Sequence, residues 1–219
     1  SRPDGQFLMT MKLYYGTGSC SLLVHMVLEE IGATFESVKV DLAAGEQRGE
    51  AYRAINAKGK VPALVTPEGT LTECVAIVEW LLDRHGDNAL LPKPGTWARA
   101  KTMEQVATLA TEVHPLFNRF FHEGDFSDEK PVQAAVKSHG ARKISAWFAQ
   151  QDASLAGDWW SGAREPVLSD LYFAVIARWG RWLDPPATRL PNIEAFLNRL
   201  ATRPAISRAL AREGITLFS

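Results

Sequence analysis

Residues 12–40 write a strand, a helix and a second strand in roughly thirty positions. Lys12-Leu13-Tyr14-Tyr15 reads as a short strand, and Gly16-Thr17-Gly18-Ser19 as turn material. From Ser21 onward Leu22, Leu23, Met26, Val27 and Ile31 recur at helical spacing, and Gly32 closes the helix. Residues 34–40 alternate and are β-branched, as a half-buried strand requires. Such a strand–helix–strand unit demands a right-handed crossover.

The next segment extends that sheet. Residues 41–60 are polar and carry at most a weak helix around 49–55. Ala63-Leu64-Val65-Thr66 reads as a third strand, Pro67-Glu68-Gly69-Thr70 as a turn, and Thr70-Leu71-Thr72 as a short fourth strand. Residues 73–83 then form a helix. The expected order is β-α-β-α-β-β-α, with helices packed on a mixed sheet. Leu91-Pro92-Lys93-Pro94-Gly95 breaks the chain. Beyond it only helical periodicity appears: 97–121, with Pro115 bending or interrupting it, then 130–151, 170–183, 191–199 and 204–212. The expected organisation is an α/β domain over 11–89, a linker over 90–96 and an all-α bundle over 97–219.

The bulk properties exclude some partners. With 24 basic and 25 acidic residues the net charge is -1, so no general field draws the chain to a phosphate backbone. No nucleic acid is expected as a partner. No apolar run reaches the roughly 18 residues that span a membrane, so no membrane partner is expected either. Phe7-Leu8-Met9 is too short to be the apolar core of a secretory signal, and the fold is expected to begin near Lys12. Cys20 and Cys74, the only cysteines, make no disulfide framework. A reducing, cytoplasmic setting follows as the expectation. No metal-ligand spacing is present.

The chemistry is expected where the first strand hands over to the first helix. Cys20 stands at that helix's first turn, where unpaired amides and the helix dipole favour an anion. Its pKa is expected to be lowered. The residue three positions on is Leu23, so there is no Cys-x-x-Cys, and a second thiol would have to come from a cosubstrate. Tyr14 or Tyr15, Ser19 and Ser21 are competing hydroxyl donors to a thiolate. Val61-Pro62 enters the third strand, where Pro62 is expected to be cis and to leave the Val61 backbone free to pair with an extended peptide. Glu73-Cys74 opens the third helix, whose amides suit a carboxylate and whose Glu73 suits an ammonium group. Lys39 suits the far end of an extended ligand, with Lys58 and Lys60 as weaker candidates.

These segments resemble the glutathione S-transferases. Met11-Lys12-Leu13-Tyr14-Tyr15 leading to Gly18-Ser19-Cys20-Ser21-Leu22 is similar to the opening of the bacterial beta class. Asn56-Ala57-Lys58-Gly59-Lys60-Val61-Pro62-Ala63-Leu64 resembles the family's cis-proline loop, and Leu71-Thr72-Glu73-Cys74-Val75-Ala76-Ile77 its motif for the γ-glutamyl end of glutathione. The resemblance implies a thioredoxin-like first domain, a helical second domain and a homodimer with glutathione at the domain junction. It implies that Val61 holds the cysteinyl backbone, that Glu73 and Cys74 hold the γ-glutamyl group, and that Cys20 contacts the glutathione sulfur or forms a mixed disulfide with it. His114 matches the beta-class histidine. Cys74 departs from the usual serine or threonine. Pro115 stands where lysine is frequent, Ala107 where asparagine is, and Val167 where a helix cap usually supplies serine, while Asp170 keeps the acidic half of that box.

The implied reaction asks little of the protein: lower the thiol pKa of glutathione and hold it beside a small hydrophobic electrophile. A thiol pKa lowered by one favours the thiolate by about 1.4 kcal/mol. His114, Phe117, Phe120, Phe121, Trp179 and Trp182 are candidates to line the electrophile's pocket. Two alternatives stand beside this reading. One is a glutathione-dependent thiol–disulfide or peroxide reductase in which Cys20 attacks and a second glutathione releases it. The other is a non-enzymatic binding or interaction protein.

Overall fold

In the computed structural model, residues 11–86 and 88–219 are described, and Phe7-Leu8-Met9 lies outside them. They fall into two units. The first comprises the described residues up to Asn88 together with Pro204–Ile215; the second comprises Ala89–Arg203 with Thr216–Ser219.

In the first unit β1 (Met11–Tyr15), α1 (Ser21–Glu30) and β2 (Phe35–Lys39) form the expected crossover. A short helix α2 (Glu50–Arg53), strands β3 (Ala63–Thr66) and β4 (Gly69–Thr72) and helix α3 (Cys74–His85) follow. The strand order is β2-β1-β3-β4. β1 runs parallel to β2, pairing Met11 with Phe35 and Tyr15 with Lys39. β3 is antiparallel to both β1 and β4, with Leu64 opposite Leu13 and Leu71. This is the thioredoxin-like arrangement. Its register has a consequence for the site. β1 and β4 point the same way, so the helices that follow them, α1 and α3, both start at one end of the sheet, where β3 begins.

α1 is buried on all sides, Glu30 excepted. Part of that cover comes from α9 (Pro204–Glu213), which packs along it. Glu29 of α1 pairs with two cations of α9, Arg208 Nε at 2.6 Å and Arg212 Nε at 2.5 Å. Burial pushes the Glu29 carboxyl up, but the two guanidinium groups outweigh it and hold it below the usual range.

The second unit is helical throughout. α4 (Trp97–Thr108) starts at Thr96, whose hydroxyl accepts the Arg99 N–H at 3.2 Å. The interruption expected at Pro115 lies just before it. Leu109–Val113 widens into a π turn in which the His114 N–H reaches back five residues to Leu109 O, and α5 (His114–Phe121) follows. Proline cannot donate to the carbonyl four residues back and its ring presses on it. The extra residue in the widened turn absorbs that conflict.

α6 (Lys130–Ser154), α7 (Leu168–Trp179) and α8 (Pro191–Ala201) complete the bundle. Every residue of α7 is buried. The helix expected over 170–183 ends at Trp179 and tightens into a 3-10 turn over Gly180–Trp182. Val167 has no side-chain acceptor to offer α7, and Asp170 carries the cap alone. Its carboxylate accepts Val167 N–H at 2.8 Å, Ser161 N–H at 2.8 Å and the Ser161 hydroxyl at 2.7 Å. Burial nonetheless pushes the Asp170 carboxyl up against those three hydrogen bonds. Among the described residues no helix is long and apolar enough to cross a membrane.

Candidate functional site

The turn after β1 is folded tightly around its own serines. A Cβ on Gly16 would meet the Leu42 side chain and come within 3.3 Å of Val61 Cγ2, so a larger residue there would have to displace Leu42. The Ser21 hydroxyl donates to Gly16 O and accepts from Gly16 N–H, both at 3.1 Å, and pairs with the Ser19 hydroxyl at 2.7 Å. Ser21 is fully buried, and its hydroxyl is consumed by the turn; Ser19 beside it is half-buried. Gly18 adopts φ 67, and its N–H donates to Glu213 Oε2 at 2.6 Å.

Cys20 emerges from this turn as the N-cap of α1 and is partly exposed. Its Sγ donates to Val61 O at 3.6 Å. The Val61–Pro62 peptide is cis, as expected. The Cys20 pKa runs opposite to expectation. The Cys74 side chain hydrogen-bonded to it, then burial, push the thiol well above an ordinary cysteine's value. The amino end of α1 does not overcome these two effects. Both cysteines are free thiols.

Glu73 precedes α3 with φ 70, the only non-glycine residue at positive φ among those described. A residue with a Cβ is strained there. Its carboxylate meets Lys58 Nζ at 2.6 Å, and the same ammonium donates to Thr72 Oγ1 at 3.1 Å. Cys74, the first residue of α3, is buried. Cys20, Val61, Pro62, Glu73, Cys74 and Lys58 therefore share one end of the sheet. Lys39 is exposed at the same end of β2. Lys60 is exposed too, and contributes its backbone: its carbonyl accepts from Tyr52 Oη at 2.8 Å and Asn56 Nδ2 at 2.6 Å. Burial pushes the Tyr52 phenol up to about 12, so it remains a donor at neutral pH.

Tyr15 is placed differently. It is buried, with its ring edge-on to His25 at a centroid distance of 4.6 Å. Burial and the Glu213 charge push its phenol up. Tyr14, on the opposite face of β1, lies edge-on to Tyr52.

A model of the glutathione S-transferase N-terminal domain matches residues 9–83. A glutathione S-transferase of Escherichia coli O157:H7, GstA, is 35% identical over 207 residues, covering 94% of this chain and all of that protein. The chain belongs to the glutathione S-transferase family. Solved structures agree with that membership. A sphingomonad glutathione S-transferase complexed with glutathione is 33% identical, with a TM-score of 0.80 over 94% of this chain and all of its own. A bacterial beta-class enzyme from Sphingomonas chungbukensis is 32% identical with the same TM-score and coverage.

In this transferase His114 opens α5. Its Nδ1 lies 2.9 Å from Tyr172 Oη and its ring edge-on to Trp179 at 4.7 Å. Phe117 and Trp179, considered for an electrophile pocket, are buried in the bundle, whereas Trp182 is largely exposed. Sequence reasoning missed three supports of the transferase's site. Asn56 carries an available signal: its Oδ1 accepts Lys58 N–H at 3.1 Å, a turn that Asn favours before a proline loop. His25 and Glu213 carry none, because they meet across 188 positions. Glu213 Oε1 lies 2.6 Å from His25 Nδ1, and Ser37 Oγ is 2.9 Å from His25 Nε2.

Proposed function

We propose that this transferase binds glutathione at the shared end of the sheet, stabilises its thiolate and adds it to a small hydrophobic electrophile. The observation that carries the reading is the approach of Cys20 Sγ to Val61 O, 3.6 Å apart. It brings a sulfur donor to the backbone position at which an extended tripeptide would pair as an added strand. Val61 takes the cysteinyl backbone beside Pro62. Glu73 takes the ammonium of the γ-glutamyl group, and the Cys74 amide at the start of α3 its carboxylate. Lys39 and Lys60 serve the glycyl end.

The raised Cys20 pKa acquires a role here. A cysteine that keeps its proton at neutral pH is a donor, and the thiolate to be stabilised is that of glutathione. Ser19 is the second donor. Ser21 and Tyr15 support the site from beneath. His114, fixed by Tyr172, is a further catalytic candidate on the family resemblance. The proposed domains are 11–89 for glutathione and 97–219 for the helical part, joined by 90–96. The chain is proposed to act as a cytoplasmic homodimer.

Isothermal calorimetry on the reduced protein with glutathione, paired with a conjugation assay on a chlorinated nitrobenzene, tests this reading. Saturable uptake and enzyme-dependent conjugation are expected. Absence of uptake overturns it.

A further inference from the structure

The 3-10 turn that ends α7 carries an arginine that meets no acid. Gly180 seats the turn: a Cβ there would come within 2.6 Å of Ala187 Cβ and 2.8 Å of the Phe148 ring, so the turn sits against the bundle without room for a side chain at 180. Residues three apart eclipse one another in such a turn. Trp182 therefore stands on the face of Trp179, whose ring lies 4.7 Å from that of His114 and 5.4 Å from that of Phe117. Trp179 is buried, whereas Trp182 is 61% exposed and able to meet a ligand. The Arg181 guanidinium lies over the Trp182 ring, 4.7 Å from its centroid.

Arg181 is half-buried, and its Nη1 donates to Arg178 O at 2.8 Å. Among the described residues no carboxylate pairs with it. Other arginines of this unit are answered: Arg189 meets Glu194 at 2.5 Å, Arg199 meets Asp158 at 3.1 Å, and Arg178 donates from Nε to Thr216 O at 2.8 Å. Burial alone pulls the Arg181 guanidinium below its ordinary value, with no acid to offset it. Water is partly withdrawn from this cation and no anion replaces it. A ring over the face of a guanidinium leaves the N–H edge for a carboxylate, which that edge can hold through parallel hydrogen bonds.

We propose that Arg181 and Trp182 make this transferase selective for planar, conjugated electrophiles that carry a carboxylate. The body of the electrophile lies against the exposed Trp182, and its carboxylate takes the N–H edge of Arg181. Such selectivity rests on the conjugation proposed above, and narrows it from small hydrophobic electrophiles to their anionic members. For a chlorodinitrobenzoate the step is a substitution. The glutathione sulfur bonds to the ring carbon, the carbon–chlorine bond breaks, chloride leaves with the bonding pair, and the thiol proton passes to solvent. The carboxylate takes no part in the bond changes. Its contact with Arg181 is made alike in the bound substrate and the transition state, and so acts on KM more than on kcat.

The test compares a neutral chlorodinitrobenzene with a chlorodinitrobenzoate as substrates of the wild type, Arg181→Met and Arg181→Lys, each rate corrected for the uncatalysed reaction with glutathione. The wild type is expected to favour the benzoate in kcat/KM, and added salt to narrow that preference. In Arg181→Met the ratio of benzoate to neutral substrate is expected to fall about tenfold or more, through KM. Arg181→Lys is expected to keep part of it, because a point charge remains without the planar fork. A wild type that conjugates the neutral compound without any preference for the benzoate overturns the selectivity and leaves conjugation standing. Equal loss of both substrates in Arg181→Met, with the ratio kept, makes Arg181 a folding residue and overturns it as well. A wild type that conjugates neither compound overturns the conjugation reading, and the selectivity with it. Should a variant fail to fold, the wild-type ratio and its salt dependence decide the matter.

Discussion

Lys58 Nζ lies 2.6 Å from Glu73 Oε1, across the mouth of α3. The pair is about half exposed on the Lys58 side and more so on the Glu73 side, so as a surface ion pair it contributes roughly 0–1 kcal/mol to folding. Yet Glu73 holds a backbone conformation that costs a non-glycine residue about 1–3 kcal/mol. A weak ion pair does not explain why a glutamate stands there. The contact proposed for Glu73 with the γ-glutamyl ammonium accounts for it.

Glu73→Gly therefore separates stability from binding. Relief of the positive φ is expected to leave the melting temperature unchanged or raised, offset by glycine's greater entropy in the unfolded chain. Glutathione affinity is expected to fall about tenfold or more, the loss of one charge-assisted contact of about 1.5–3 kcal/mol. Thermal denaturation and calorimetry on the same preparation measure both. Lower stability with unchanged affinity would make Glu73 structural.

Cys20 should react late with alkylating reagents as pH rises. The Cys74 hydrogen bond, then burial, raise its pKa, so the thiolate fraction stays small through neutrality and grows only above a free cysteine's range. Removing the first cause in Cys74→Ala is expected to move the alkylation profile of Cys20 toward lower pH. Rates with iodoacetamide, resolved by peptide mapping, give the profile. An inflection below that of free cysteine in the wild type would contradict the assignment.

Much of this site was legible, and the illegible parts have a common cause. Strand alternation and helical spacing place β1, α1 and β3 close to their observed bounds, and Pro62 at the start of a strand carried its own geometry. The direction in which the Cys20 pKa moves did not come through, because a helix terminus is a local feature whereas the Cys74 side chain arrives from another strand's end. That Lys58 rather than Lys60 pairs with Glu73 was hidden for a similar reason: the loop's fold, pinned by Asn56 and Tyr52 on the Lys60 carbonyl, decides which ammonium reaches Glu73. The π turn before Pro115 is a third case, since proline announces a conflict but not where the helix resolves it.

Acid sensitivity should pass through Glu29. Its folded pKa lies below the unfolded value, so its contribution is complete above the ordinary glutamate range and is lost as pH falls through the folded pKa. Discounted for the partly exposed arginines, that contribution is about 1 kcal/mol near neutrality. Glu29→Gln is expected to be less stable than the wild type at neutral pH, with the gap closing as pH falls below the ordinary glutamate range. Urea unfolding at several pH values measures it, and a gap independent of pH would deny the ion cluster any part in acid sensitivity.

In the proposed complex a tripeptide's cysteinyl backbone pairs with Val61 while its sulfur meets Cys20 at the amino end of α1. A crystal of the reduced protein soaked with glutathione tests it most directly. The expected result is a set of backbone hydrogen bonds to Val61, the γ-glutamyl group against Glu73 and the Cys74 amide, and Cys20 Sγ as the side-chain atom nearest the glutathione sulfur. Glutathione bound with its sulfur nearest another side chain, or its backbone away from Val61, would contradict it.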